Sequence, residues 1–160
     1  ANGIVVDEFC RTDDPDILAV GDCTVHPDIA RGVMRRLESV PNATEQAPIA
    51  AGTILGTLEP YTAIPWFWSD QYDIKLKVAG LSTGYDDVVI RGDHVNSRSF
   101  SAFYLREGQI IAADVVSSPR DFAIAKQLVA RGAVVAPALL SDQSVALKEI
   151  LAKGSAPAAA

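Results

Sequence analysis

Pro65-Trp66-Phe67-Trp68-Ser69-Asp70-Gln71-Tyr72-Asp73 gathers four of the chain's eleven aromatic residues into seven positions. Aromatic faces with polar neighbours suit a conjugated ring, which gains stacking on its face and hydrogen bonds at its edge. A core cluster that seals a domain junction would use the same residues. The pattern of elements changes across this stretch, so it also divides the chain.

Downstream, residues 75–78, 88–91, 99–105 and 109–115 alternate or run apolar between turn signals such as Ser82-Thr83-Gly84 and Glu107-Gly108. That pattern predicts a meander of antiparallel strands. Asp70 and Asp73, beside a strand start, read as capping and solvating residues rather than paired catalytic carboxylates. Pro119 fits the first turn of a helix, and Phe122, Ile124, Ala125, Leu128 and Val129 give it an apolar face up to Gly132. A short helix over 144–151 precedes Gly154-Ser155-Ala156-Pro157-Ala158-Ala159-Ala160, expected as a frayed tail.

Upstream, Ala1-Asn2-Gly3-Ile4-Val5-Val6-Asp7 predicts a short apolar strand entered from an Asn-Gly turn, an abrupt opening with no room for an element before it. A polar turn, Arg11-Thr12-Asp13-Asp14-Pro15-Asp16, leads into Ile17-Leu18-Ala19-Val20. This unbroken apolar run is expected as a parallel-sheet strand covered on both faces. It ends in Gly21-Asp22, where a glycine lets a ligand approach the backbone and a carboxylate can accept hydrogen bonds from polyol hydroxyls. The pair is equally an ordinary turn. Residues 33–38 can form another strand. A helix then starts at Ser39, with Pro41 in its first turn, and runs about four turns through Gly56; Pro48 is expected to kink it. Its N-terminus favours negative charge.

The 160 residues are 49% hydrophobic and 21% charged, enough for one sizeable core or two small ones. A net charge of −6 argues against nucleic acid. Only Arg31, Arg35 and Arg36 gather, as a solvated strand face or as a patch for an acidic partner. Cys10 and Cys23 lack metal or redox spacing and read as small buried thiols of a cytoplasmic protein. No membrane-length apolar run is present, and no cleavable leader is expected. His26 and His94 read as solvated loop histidines, so neither a catalytic nucleophile nor a metal site is expected.

Taken in order, Gly3-Ile4-Val5-Val6-Asp7, Ile17-Leu18-Ala19-Val20-Gly21-Asp22-Cys23, Arg36-Leu37-Glu38-Ser39-Val40-Pro41-Asn42-Ala43-Thr44-Glu45-Gln46-Ala47 and the 65–73 stretch form one pattern. It continues through Val78-Ala79-Gly80-Leu81-Ser82, Arg91-Gly92-Asp93, Phe100-Ser101-Ala102-Phe103-Tyr104-Leu105 and Leu147-Lys148-Glu149-Ile150. The pattern resembles the C-terminal part of the FAD-dependent NADH:ferredoxin reductases, the putidaredoxin reductase type that feeds cytochromes P450 and ring-hydroxylating dioxygenases.

The resemblance implies an α/β and α+β chain: residues 1–62 as the terminal strand and helix of a Rossmann-like FAD-binding domain, residues 63–154 as a small α+β reductase domain with an antiparallel sheet, and residues 155–160 as the tail. It implies FAD and NADH as cofactors of the complete enzyme and a [2Fe-2S] ferredoxin as partner. Within that family Gly21-Asp22 would hold the ribityl and pyrophosphate part of FAD, the backbone at Val40 would contact the isoalloxazine, and Trp68 would lie beside that ring near the nicotinamide and partner side. Two departures stand out. No G-x-G-x-x-G follows a strand, so the missing N-terminal portion of the reductase is itself an expected partner. Pro48 stands where several relatives place a basic residue facing the ferredoxin. An isolated interaction or dimerisation module without bound flavin is the alternative.

Overall fold

The computed structural model describes residues 2–153, in two compact units that divide between Pro65 and Trp66. The expected tail at 155–160 lies outside the described residues. In the first unit β1 (Ile4–Val5), β2 (Thr24–Asp28) and β3 (Val33–Arg35) form a sheet in that order. β1 runs parallel to β2, with Ile4 facing Thr24, and β2 runs antiparallel to β3, with His26 facing Arg35.

Ile17-Leu18-Ala19-Val20, expected as a parallel-sheet strand, folds back on the loop before it instead. The Thr12 N–H donates to the Ile17 carbonyl and the Ala19 N–H to the Cys10 carbonyl, each at 3.1 Å. The cause is local: Thr12 Oγ1 donates to the carbonyls of Asp14 and Ile17, and the Asp14 carboxylate accepts the Asp16 N–H. Side-chain bonds of this kind offer the backbone an alternative to a sheet ladder. The parallel partner of β1 is β2, which Pro27 disguises in the sequence. Because β1 pairs only as far as Val25, Pro27 is not asked for a donor on that side.

α1 spans Val40–Ile54. Ser39 caps it, its Oγ accepting the Asn42 N–H at 3.2 Å, and Pro41 sits in the first turn, where a missing N–H costs little. The helix runs on through Pro48. Pro48 cannot donate to the Thr44 carbonyl, and the Thr44 hydroxyl bonds back to the carbonyls of Val40 and Pro41 in the turn before it.

Two side chains differ from expectation. His26 is 4% exposed, because it lies on the central strand and meets the Tyr61 ring edge-on at 5.2 Å. Cys23 is exposed, since the 3-10 turn Gly21–Cys23 buries only its glycine. Cys10 is buried, and burial first, then Asp7, pushes its thiol up to about 11, which leaves it inert near neutral pH.

The second unit contains β4 (Trp66–Gln71), β5 (Ile74–Gly80), β6 (Asp87–Arg91), β7 (Phe100–Arg106) and β8 (Gln109–Val116), followed by α2 (Pro119–Ala130), α3 (Pro137–Ser141) and α4 (Leu147–Lys153). All strand pairs are antiparallel, but the order is β4-β5-β8-β7-β6. Only β6, β7 and β8 form a true meander; β8 inserts beside β5. The β7–β8 turn is Glu107-Gly108, both at positive φ (53° and 78°), the backbone a two-residue hairpin of matching twist requires.

α2 packs on β5 and β8, burying Phe122, Ala125, Leu128 and Val129 with Ala79, Ala113 and Val115. Gly80 makes that approach possible. A Cβ there would lie 2.2 Å from the Ile111 carbonyl oxygen and 2.8 Å from Val129 Cγ1. α3, too short to read from periodicity, packs against β6 and is tied to it by Arg91.

Candidate functional site

In the first unit, Gly21 and Asp22 sit against α1. A Cβ on Gly21 would stand 3.2 Å from Ala43 Cβ in the first turn of the helix, and Gly21 already holds φ +81°, so glycine is required twice over. Gln46, one turn further along α1, fixes the approach: its Oε1 accepts the Gly21 N–H at 2.7 Å and the Thr24 hydroxyl at 3.3 Å. The Gln46 side chain is wholly buried, and its Nε2 has no partner among the described residues. Sequence reasoning missed Gln46 as a site residue, although its place in the Glu-Gln-Ala triplet was visible.

Asp22 is exposed, and its backbone carbonyl accepts from Arg36 Nε at 2.9 Å. At the start of α1, Ser39 takes up the N–H groups of Asn42 and Ala43 and Pro41 has none. Among the described residues that leaves the N–H of Val40, a residue 61% exposed, as the first-turn donor. Gly21 and Asp22 therefore seat against the first turns of α1, the helix that begins at Val40: Gly21 is buried, its N–H held by Gln46 and its carbonyl accepting from the Thr24 hydroxyl, while Asp22 keeps an exposed carboxylate near the positive end of a four-turn helix. An elongated ligand with hydroxyls and a negatively charged or electron-accepting ring edge fits that set.

The arginine trio does not form a free patch. Arg35 pairs with Asp28 at 2.6 Å, and Arg36 pairs with Glu38 at 2.9 Å while also donating to the Asn2 carbonyl.

Trp68, the fourth expected residue, belongs to the second unit. It is 42% exposed on β4 and lines a cleft of ≈ 550 Å³ with Trp66, Lys75, Lys77, Ser117 and Phe122. Its ring lies 5.6 Å from Trp66, tilted by 31°, and Trp66 lies 5.8 Å from Phe122. Two lysines and two aspartates, Asp70 and Asp73, also line it: Lys77 Nζ is 5.2 Å from the Phe122 centroid, and Lys75 pairs with Asp70 at 2.9 Å. The aromatic stretch thus splits its duties. Trp66 and Trp68, two apart on one strand, share a face, whereas Tyr72 is 99% exposed at the hairpin tip. Asp73 pairs with Arg98. Phe122, Lys77 and Lys126 join this surface through pairing and helix packing that the sequence alone did not bring together.

Comparison with known proteins places these features. Residues 66–151 match the family described as Reductase C-terminal. The chain belongs to the reductase C-terminal family. Residues 1–47 also match the pyridine nucleotide-disulphide oxidoreductase family. The chain is 46% identical over 155 residues to putidaredoxin reductase CamA of Pseudomonas putida, covering 97% of this chain and 36% of that protein. It is 45% identical over 152 residues to the 5,5'-dehydrodivanillate O-demethylase ferredoxin reductase subunit of Sphingobium sp., covering 94% and 37%.

Two solved structures superpose on this chain with a TM-score of 0.89. One is the covalent putidaredoxin reductase–putidaredoxin complex, at 46% identity over 96% of this chain and 36% of that one. The other is the ferredoxin reductase for the CYP199A2 system from Rhodopseudomonas palustris, at 42% over 94% and 37%. The chain spans little more than a third of the length of these relatives. Among the described residues no group of three or more His, Cys, Asp or Glu is placed to hold a metal, and no helix is long and apolar enough to cross a membrane.

Proposed function

We propose that this chain is the C-terminal portion of an FAD-dependent NADH:ferredoxin reductase, which passes electrons from NADH through FAD to a [2Fe-2S] ferredoxin serving a cytochrome P450 or a dioxygenase. The observation that carries this reading is the seating of Gly21-Asp22 on the first turns of α1, locked by Gln46. Residues 1–62 are then the end of an FAD-binding domain and residues 63–154 the C-terminal reductase domain, a division that the separate compactness of the units supports. A cytoplasmic location accords with a reaction that draws on NADH.

In this reading FAD, when bound, accepts a hydride and releases electrons one at a time; the chain binds and tunes it. The exposed Asp22 carboxylate accepts hydrogen bonds from polyol hydroxyls, and Gly21, seated against Ala43, fixes where that carboxylate stands. The N–H of Val40 and the dipole of α1 stabilise negative charge at the ring edge. Trp68 works on the nicotinamide and ferredoxin side, and Lys77 beside the aromatic cluster suits an acidic ferredoxin.

The test uses the flavin-loaded reductase that carries this chain as its C-terminal portion. Asp22→Ala is expected to weaken FAD by about 1–3 kcal/mol, the cost of an unpaired ligand hydroxyl. Trp68→Ala is expected to slow flavin reduction or ferredoxin reduction while the fold persists. Unchanged FAD retention and unchanged electron transfer in the two variants would overturn the proposal.

A further inference from the structure

Trp68 lies on β4, the edge strand of its sheet, so β-sheet neighbours reach it from one side only, where Lys77 is its register partner. A half-exposed indole in that position has few contacts of its own to choose a rotamer. What it does have is Trp66, whose ring lies 5.6 Å away at a tilt of 31°.

Trp66 is in turn clamped from α2. Lys126 Nζ lies 4.7 Å from its ring centroid, and Phe122 lies 5.8 Å away at 47°. Phe122 and Lys126 are four residues apart on one helix, so they rise from the same face one turn apart and grip a single ring. Lys126 is half-buried. A cation held over an indole face is attracted by the ring quadrupole, and more strongly when partly desolvated. Phe122 is itself contacted by Lys77, whose Nζ lies over its ring.

We infer that Lys126 is a positioning residue for Trp68, acting through Trp66: the column Lys126–Trp66–Trp68 sets the pose in which the exposed indole is presented at the cleft. Its bearing on electron transfer rests on the function proposed above for Trp68; the positioning itself does not. Lys126 touches none of the reacting groups in that scheme. It would govern how narrowly Trp68 is oriented, and hence how reproducibly a flat partner meets it.

The chain supplies its own reporter, since Trp66 and Trp68 are its two tryptophans. In the 160-residue chain, Lys126→Gln is expected to diminish the exciton-coupled circular dichroism of the pair about twofold and to raise acrylamide quenching of its fluorescence by a similar factor. Lys126→Arg, which keeps the cation over the ring, should restore both. In a Trp66→Leu background only Trp68 emits, and there Lys126→Gln should change quenching little, because no aromatic ring remains between the cation and Trp68. A thermal melt of each variant guards against unfolding, and the arginine variant keeps the test decisive if glutamine is poorly tolerated. Unchanged dichroism and quenching in folded Lys126→Gln would overturn the proposal, as would an equal effect in the Trp66→Leu background. Both measurements are made without flavin, so their outcome is independent of the electron-transfer reading.

Discussion

Gln46, wholly buried on α1, accepts the backbone N–H of Gly21 through Oε1 at 2.7 Å. One amide thereby sets the distance between a glycine turn and a helix twenty-five residues away in sequence.

Replacing Gln46 by leucine keeps the volume and removes the acceptor. The Gly21 N–H would be left buried without its partner, a loss of about 1–3 kcal/mol. Urea denaturation of Gln46→Leu should show that decrease. If the stability were unchanged, the Gly21 turn would have to be held by something other than Gln46.

His26 makes the first unit acid-sensitive. Burial disfavours its charged form and pulls its pKa below the ordinary 6.5, with Asp28 opposing and Arg35 reinforcing the shift. Nδ1 has no partner among the described residues, so the fold favours neutral imidazole. The stability this contributes is complete above about pH 6.5 and is lost as pH falls through the depressed folded value. Urea midpoints should therefore drop between about pH 7.5 and about pH 5.5. His26→Phe, which keeps a ring against Tyr61, should flatten that slope.

Arg91 is 8% exposed and donates to the carbonyls of Leu140, Asp142 and Val145 at 3.1, 2.7 and 2.7 Å. Charge-assisted bonds of this kind contribute about 1.5–3 kcal/mol each. Arg91→Met should cost about 3 kcal/mol or more, with hydrogen exchange rising first in α3 and α4. Arg91→Lys retains the charge without the fork and should recover only part of the loss.

Tyr72 occupies left-handed backbone at φ +55° with its side chain 99% exposed. Glycine would remove the steric cost of that conformation, about 1–2 kcal/mol, against its greater entropy in the unfolded chain. Tyr72→Gly should leave the second unit slightly more stable, by about 0.5 kcal/mol. A melting temperature that falls clearly would show that Tyr72 makes contacts the structure does not contain.

The elements easiest to read from sequence were those whose signal is local and redundant. α1 announces itself through Ser39, Pro41 and a long Ala-rich run, and α2 through Pro119, its apolar face and Gly132. β7 and β8 are bracketed by a turn that Glu107-Gly108 marks. Ile17 to Val20 misled because apolar content cannot reveal that Thr12 and Asp14 will bond the backbone into a turn. β2 was hidden by Pro27, whose tolerance depends on how far β1 extends. Gly21, Asp22 and Val40 could be named as site candidates through the family pattern. Gln46, Phe122 and Lys126 could not, because their roles exist only once a helix has been laid against a turn or a sheet.

The insertion of β8 between β5 and β7 has a kinetic consequence. The β4–β5 hairpin closes over two residues, and the β6–β7–β8 meander is likewise built from near neighbours, so each can form early and independently. Joining them pairs Gly80 with Ala112, a closure over about thirty residues whose entropy is spent before α2 can dock on the joined pair. The seam between β5 and β8, which carries Gly80 and the Ala79–Ala113 contact beneath α2, is thus the expected rate-limiting event in folding of this unit. Substitutions at Gly80 should slow refolding more than they hasten unfolding.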